Sequence, residues 1–434
     1  MRHGAWILAI TLVCGAMSAQ VSDQPKDLPH YTVTDLGTLG GTFSWATGVN
    51  NKGWVDGFST LPGETCIPPS LGCDDHAFLW QDGIMTDLGT LGGPNSGVGF
   101  WGRRPNDQGQ IVGAAQTGAS DPAGEDFCAF INNFFTESPA PFLCQPFVWQ
   151  SGVMSPLPAL EGNGGASQIN NLGQVAGEVD GKPDCPAGAP HPRPVLWENG
   201  VLHKLPRLAG FPYGGPNAIN DQGQSVGVLV SDCAGTVNHA VLWDRNGATY
   251  LGSLGGSAFG EGVDINEEGQ VVGFASLAGD AVFHGFFWTK AGGMKDLGTL
   301  PGDVFSFAAG INDNGQIVGT SSDANFNPRA FFEQDGVMVD LNALASPSSP
   351  LYLLYAFDIN SRGEIVGQGF DATTRELHAF LAKPCDQDEG CDDRDTGTPN
   401  VVPRPRVIIP DNIRKLLQQR LRFGRVETPP MLLH

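Results

Sequence analysis

An all-β fold, a seven-bladed β-propeller of four-stranded blades with the ring closed by the N-terminal strand, is predicted by three features of this 434-residue sequence. First, one phrase recurs seven times, and repetition on this scale marks solenoids and propellers. The leucine pairs Leu36/Leu39, Leu88/Leu91, Leu157/Leu160, Leu205/Leu208, Leu251/Leu254, Leu297/Leu300 and Leu341/Leu344 stand 52, 69, 48, 46, 46 and 44 residues apart. Second, each copy reads as four short strands, the content of a propeller blade. Third, the strand Tyr31–Leu36 has no blade of its own, while the last unit, ending at Leu381, has no leucine strand after it. Joining the two completes the ring and hides two open sheet edges.

The elements of a unit follow in order. An Ala/Gly-rich strand such as 307–311 begins it, because small residues suit the crowded position beside a central channel. A tight turn follows, formed by Asn-x-x-Gly at Asn50, Asn106, Asn170, Asn220, Asn266, Asn312 and Asn360. Asn bonds its own backbone further along, and Gly three residues later reaches positive φ without a Cβ clash. The next strand is rich in β-branched residues, as in Gln316-Ile317-Val318-Gly319. The third is His76-Ala77-Phe78-Leu79-Trp80 and its counterparts. A short turn such as Gln81-Asp82-Gly83 makes the leucine-bearing strand its antiparallel neighbour.

Composition agrees. Sixty Gly and 32 Pro demand many turns, and 41% hydrophobic residues are enough for a core. A formal charge of −22 repels phosphate backbones and anionic headgroups, so nucleic acid is excluded as a partner. Residues 1–20 read as a signal peptide: Arg2 and His3, then the apolar run Ala5–Val13, then Ala16-Met17-Ser18 at the cleavage positions. Residues 21–30 form a linker, 31–384 the propeller and 385–434 a tail. No later stretch is long enough to span a bilayer. The expected location is therefore outside the cell or in the periplasm, where eight cysteines form disulfides: Cys66, Cys73, Cys128, Cys144, Cys185, Cys233, Cys385 and Cys391. Cys66–Cys73 and Cys128–Cys144 would be local clips, and Cys185 and Cys233 could join neighbouring units. Eight cysteines permit 105 pairings, so connectivity stays open.

Together, Asp35-Leu36-Gly37-Thr38-Leu39-Gly40-Gly41, Ile311–Gly319 and His76–Trp80 resemble the HAF-type bacterial extracellular repeat, over about residues 31–383. The resemblance implies a bacterial exported protein and carries no assigned activity or catalytic residue.

Candidate chemistry is sought where the units differ, since a reaction needs one constellation rather than seven. Unit two has a long approach to its Asn, holding Phe100, Trp101, Arg103 and Arg104; unit seven has another, holding Tyr352 and Tyr355. Aromatics with Arg stack on a sugar or grip a carboxylate, so these six are the candidate ligand-binding residues. His76, His239, His284 and His378 alternate with Arg193, Arg329 and Gln145, which preserves a hydrogen-bond donor but not a metal ligand. No Walker A or H-E-x-x-H motif occurs, and no catalytic residue is assigned. No cofactor or metal is expected. The acidic stretch around Cys385–Cys391 offers oxygens for calcium, but Arg394 and Arg404 fall at EF-hand ligand positions. Pro403–Pro410 reads as an extended linker. Asp411 caps a basic amphipathic helix with Ile413, Leu416, Leu417 and Leu421 on one side, suited to docking on the acidic propeller.

The expected function is that of a secreted, non-catalytic binding or scaffold protein, monomeric, using variable loops on one face to contact an extracellular glycan or protein. The alternative is a polysaccharide hydrolase or lyase with carboxylates at the channel mouth, which would gather unrepeated acids there.

Overall fold

The computed structural model describes residues 28–63, 74–99, 104–124, 127–128, 142–182, 190–233, 235–385 and 405–420. Within them lie seven four-stranded antiparallel sheets, each one blade. Blade 1 consists of β2 (Ser44–Val49), β3 (Val55–Thr60), β4 (Asp75–Gln81) and β5 (Ile84–Asp87), paired in that order from the channel outward. Blade 7 takes its inner three strands from Tyr352–Ile359, Ile365–Phe370 and Leu377–Pro384, and its outermost from β1 (Tyr31–Gly37). The register Tyr31↔Pro384 through Asp35↔Phe380 is the ring closure read from the two sequence deficits.

The second strand of each blade carries a glycine for a packing reason. A Cβ on Gly57 would stand 2.0 Å from the Trp45 carbonyl oxygen and 2.7 Å from the Phe78 ring. The same clash recurs at Gly319, against the Phe307 carbonyl oxygen and the Phe331 ring. The phenylalanine of the third strand thus lies flat over bare backbone. In the turn, Gly53 sits at φ +78°, where only glycine is unstrained.

Apolar clusters bridge neighbouring blades. Leu36, Phe78, Val366 and Leu381 join blades 7 and 1. The leucine pairs feed these seams unevenly: Leu88, Leu300 and Leu341 are buried, whereas Leu160 is 40% exposed. In unit six the pair is helical: Leu341–Leu344 forms a single turn of helix, α1, capped by the Asp340 side chain on the Asn342 N–H. A second helix, α2 (Asp411–Arg420), comes from the tail.

Six inner strands share a bulge three residues before the turn Asn, at Ala46/Gly48, Ala166/Gln168, Pro216/Ala218, Gly262/Asp264, Ala308/Gly310 and Ala356/Asp358. A bulge leaves one residue without a ladder partner. Blade 2 has an insertion there instead. Ala46, opposite Gly57, is four residues from Asn50; its equivalent Val98, opposite Gly113, is eight residues from Asn106. Phe100, Trp101 and Arg103 belong to that insertion and lie outside the described residues, as do the signal segment, Cys66, Cys73, Cys185 and Cys391.

Candidate functional site

The channel has two mouths, and the seven Asn-x-x-Gly turns build one of them. Each Asn Oδ1 accepts backbone N–H groups of its own turn, as Asn220 does from Gln222 and Gln224. Its Nδ2 is then free to face the next blade. Asn50 donates to the Asn106 carbonyl, Asn106 to Asn170, Asn170 to Asn220, Asn220 to Asn266, Asn266 to Asn312, Asn312 to Asn360, and Asn360 back to Asn50, all at 2.9–3.2 Å. The cycle is closed. A second tier repeats the logic one residue on: the Asp107, Asn171, Asp221 and Glu267 N–H groups donate to the side chains of Asn171, Asp221, Glu267 and Asp313.

Inside this rim lies a recess of about 150 Å³ lined by Arg104 and the turn residues. The residues two before each turn Asn are Gly48, Arg104, Gln168, Ala218, Asp264, Gly310 and Asp358. Here the repeat is broken on purpose-built chemistry. Arg104 Nη2 lies 2.9 Å from Asp264 and 3.2 Å from Asp358, so one guanidinium from blade 2 holds carboxylates of blades 5 and 7. Both carboxylates also serve the bulges. Asp358 accepts the Val49 and Ile359 N–H groups at 2.9 Å, and Asp264 accepts that of Ile311 at 3.0 Å. Gln168 does the same for Ile219, while Pro105, facing Gly48, has no N–H to satisfy. Burial raises both carboxyls against the pull of Arg104; at Asp358 the neighbouring Asp264 charge adds to the rise, and it is pushed up to about 7.

The opposite mouth, on the side of the variable loops, is filled. Tyr355 packs on Trp45 (5.4 Å between ring centroids), Phe357 (5.9 Å) and Phe307 (6.4 Å), joining blades 7, 1 and 6. Ile409, Ile413 and Leu417 of the tail close the same apolar cluster, together with Tyr352 and Phe43. Ahead of them Arg406 pairs with Asp303 at 3.0 Å and Asp323 at 3.1 Å, and it donates to the Asn327 carbonyl. Asp303, whose side chain is fully buried, also takes Arg329 at 2.8 Å.

The structure therefore separates the described candidate ligand residues. Arg104 lies at the turn-side recess, consumed by two carboxylates. Tyr352 and Tyr355 are buried at the loop side, 7% and 3% exposed. Burial raises both phenols, Tyr352 to about 12. Three of the four strand-three histidines bond an aspartate of the adjacent strand: His76 to Asp87, His284 to Asp296, and His378 to Asp35 of β1, each at 2.9 Å. Sequence reading missed the Asn cycle, the Arg104 triad and the Arg406 anchor; the unrepeated Asp264 and Asp358 among repeated positions were the available signal.

Cys128 and Cys144 are disulfide-bonded, as the clip reading expected. Cys233 and Cys385 are also disulfide-bonded. Among the described residues no group of three or more His, Cys, Asp or Glu is placed to hold a metal, and no helix is long and apolar enough to cross a membrane.

No family model matches the chain, and no curated protein matches it. Solved structures do. The β-propeller domain of the Trilobed protease from Pyrococcus furiosus is similar at 11% identity and a TM-score of 0.35, covering 69% of this chain and 98% of that one. TolB from Acinetobacter baumannii is similar at 10% identity and 0.37, covering 76% and 80%. These likenesses concern the propeller fold alone.

Proposed function

We propose that this chain is a secreted, non-catalytic binding or scaffold protein of the HAF-type repeat class, contacting an extracellular ligand with the loop side of its propeller. One observation carries the reading. The unrepeated channel carboxylates that an enzyme would need, Asp264 and Asp358, have no exposed side-chain surface and are saturated by Arg104 and backbone N–H groups. They lock blades together instead of facing a substrate. The variable loops, one of them clipped by Cys128–Cys144, supply the unlike surface that recognition requires.

The test is a glycan-array screen of the disulfide-intact protein, run beside a reducing-end release assay on the same polysaccharides. Binding without release is expected. The second reading, a polysaccharide hydrolase or lyase, draws on the raised carboxyls, since a carboxylic acid still protonated near pH 7 is what glycoside cleavage uses. Release of reducing ends that Asp358→Asn abolishes would establish it and overturn the first.

A further inference from the structure

The tail's mode of binding defines a recognition site. A ten-residue helix does not hold its shape alone in water, so α2 is ordered by what it packs against. Ile413 and Leu417 of α2, with Ile409 just before it, are 7%, 2% and 1% exposed and form a ridge that falls into the apolar loop-side mouth. Three residues before that ridge, Arg406 enters a carboxylate-lined notch formed by Asp303 and Asp323. Charge agrees with shape: the segment 405–420 carries Arg406, Arg414, Lys415 and Arg420 against Asp411, and the whole chain is strongly acidic. Removing the segment would bare part of the apolar cluster of Phe43, Tyr352, Phe370 and Leu377 beside Asp323, left without its cation, and Asp303, left with Arg329 alone. Such a surface is a groove with an ionic anchor, the arrangement by which helix-binding sites read an amphipathic peptide.

We infer that the loop-side mouth is a protein-binding site for a segment of the form Arg-x-x-Ile-x-x-x-Ile-x-x-x-Leu, non-helical through the arginine and first isoleucine and helical beyond them, and that the chain's own tail occupies it as an intramolecular pseudo-ligand. The inference rests on the binding-protein reading and supplies its partner class and its regulation. Residues 386–404 tether the tail, so its local concentration, not its intrinsic affinity alone, keeps the mouth shut. A partner bearing the same ridge with more or better-placed contacts displaces it.

The experiment uses the full chain and a fluorescent peptide of residues 405–420, followed by anisotropy. Wild-type protein should capture the peptide weakly, because the site is filled. The Ile413→Asp/Leu417→Asp protein, its own tail expelled, should bind at least about tenfold tighter, and a peptide carrying Arg406→Ala should bind at least about tenfold more weakly. Equal capture by wild type and variant, with cooperative unfolding intact, would overturn the inference, as would indifference to the arginine. Should the double variant fail to fold, the full-chain Arg406→Ala protein reports the same increase. Reducing-end release with peptide capture would sink the non-catalytic reading but leave this site standing; neither release nor capture would do the reverse.

Discussion

Arg104 brings one positive charge to two carboxylates that have no exposed surface. Breaking such a buried pair from one side costs about 3–5 kcal/mol, since it strands the remaining charge. Arg104→Ala should therefore lower urea stability by about that much at pH 8, and by less at pH 5, where the stranded carboxyls take protons. The wild type has a pH dependence of the same sign. Asp264 and Asp358 are raised in the folded state, so the stability tied to their protonated forms is complete below the unfolded value and is lost as pH climbs, for Asp358 through about 7. His76 and His378 act alike. Burial opposes their protonation, but the bond to Asp87 or Asp35 outweighs it and raises them, so their contribution also fades as pH rises past the ordinary histidine range. Asp87, lowered despite burial by the His76 bond, loses its share only as pH falls below the carboxylate range. Chemical denaturation from pH 5 to 8 should show declining stability; a flat or rising profile would contradict this assignment. None of this was legible from Arg104 alone, whose partners lie 160 and 254 residues further on. Read beside Phe100 and Trp101 it looked like a ligand clamp, because sequence separation hides what a ring brings together.

At the scale of the element, the turns were plain in the sequence and their outward reach was not. Asn-x-x-Gly declares a turn, since Oδ1 and a positive-φ glycine account for both conserved letters of the phrase. That Nδ2 crosses to the next blade shows only once the blades stand side by side. The two jobs separate experimentally. Asn220→Asp keeps the Oδ1 acceptor for Gln222 and Gln224 but loses the donor to Asn266 and sets charge against the Gln224 Oε1. Asn220→Ala loses both. A penalty of about 1–3 kcal/mol is expected for Asp, with a larger one for Ala; no penalty for Asp would mean that the link across blades contributes nothing, and equal penalties would mean the same of the turn bonds to Oδ1. The strand-three position shows the same tolerance with different chemistry. Where Tyr250 replaces the aspartate, His239 is stacked between Phe211 and Tyr250 at 4.1 and 4.2 Å, and burial lowers it instead of raising it. The repeat conserves a filled place, not a bond.

At the scale of the molecule, blade count, strand order and closure followed from repeat spacing and from two incomplete ends. The seating of the tail did not, because the apolar mouth that orders it is assembled from blades 1, 5, 6 and 7 and exists in no single unit. Closure has its own test. Deleting 31–37 leaves Leu377–Pro384 as an open edge and strands His378 without Asp35. The deleted protein should elute as soluble aggregate and unfold in more than one step, while the parent unfolds once. The asparagine cycle has a further consequence. All seven amides point the same way around, each carbonyl that accepts belonging to the residue that donates next, so the circuit has a direction and no first member. Such a loop is completed by an integer number of turns at one radius. Tandem repeats lengthen and shorten readily when genes are copied, and an eighth unit inserted here would have to reopen the rim and move Arg104 away from at least one of its aspartates. The rim thus acts as a tally of the gene's repeats, accepting seven and making any other number costly to fold.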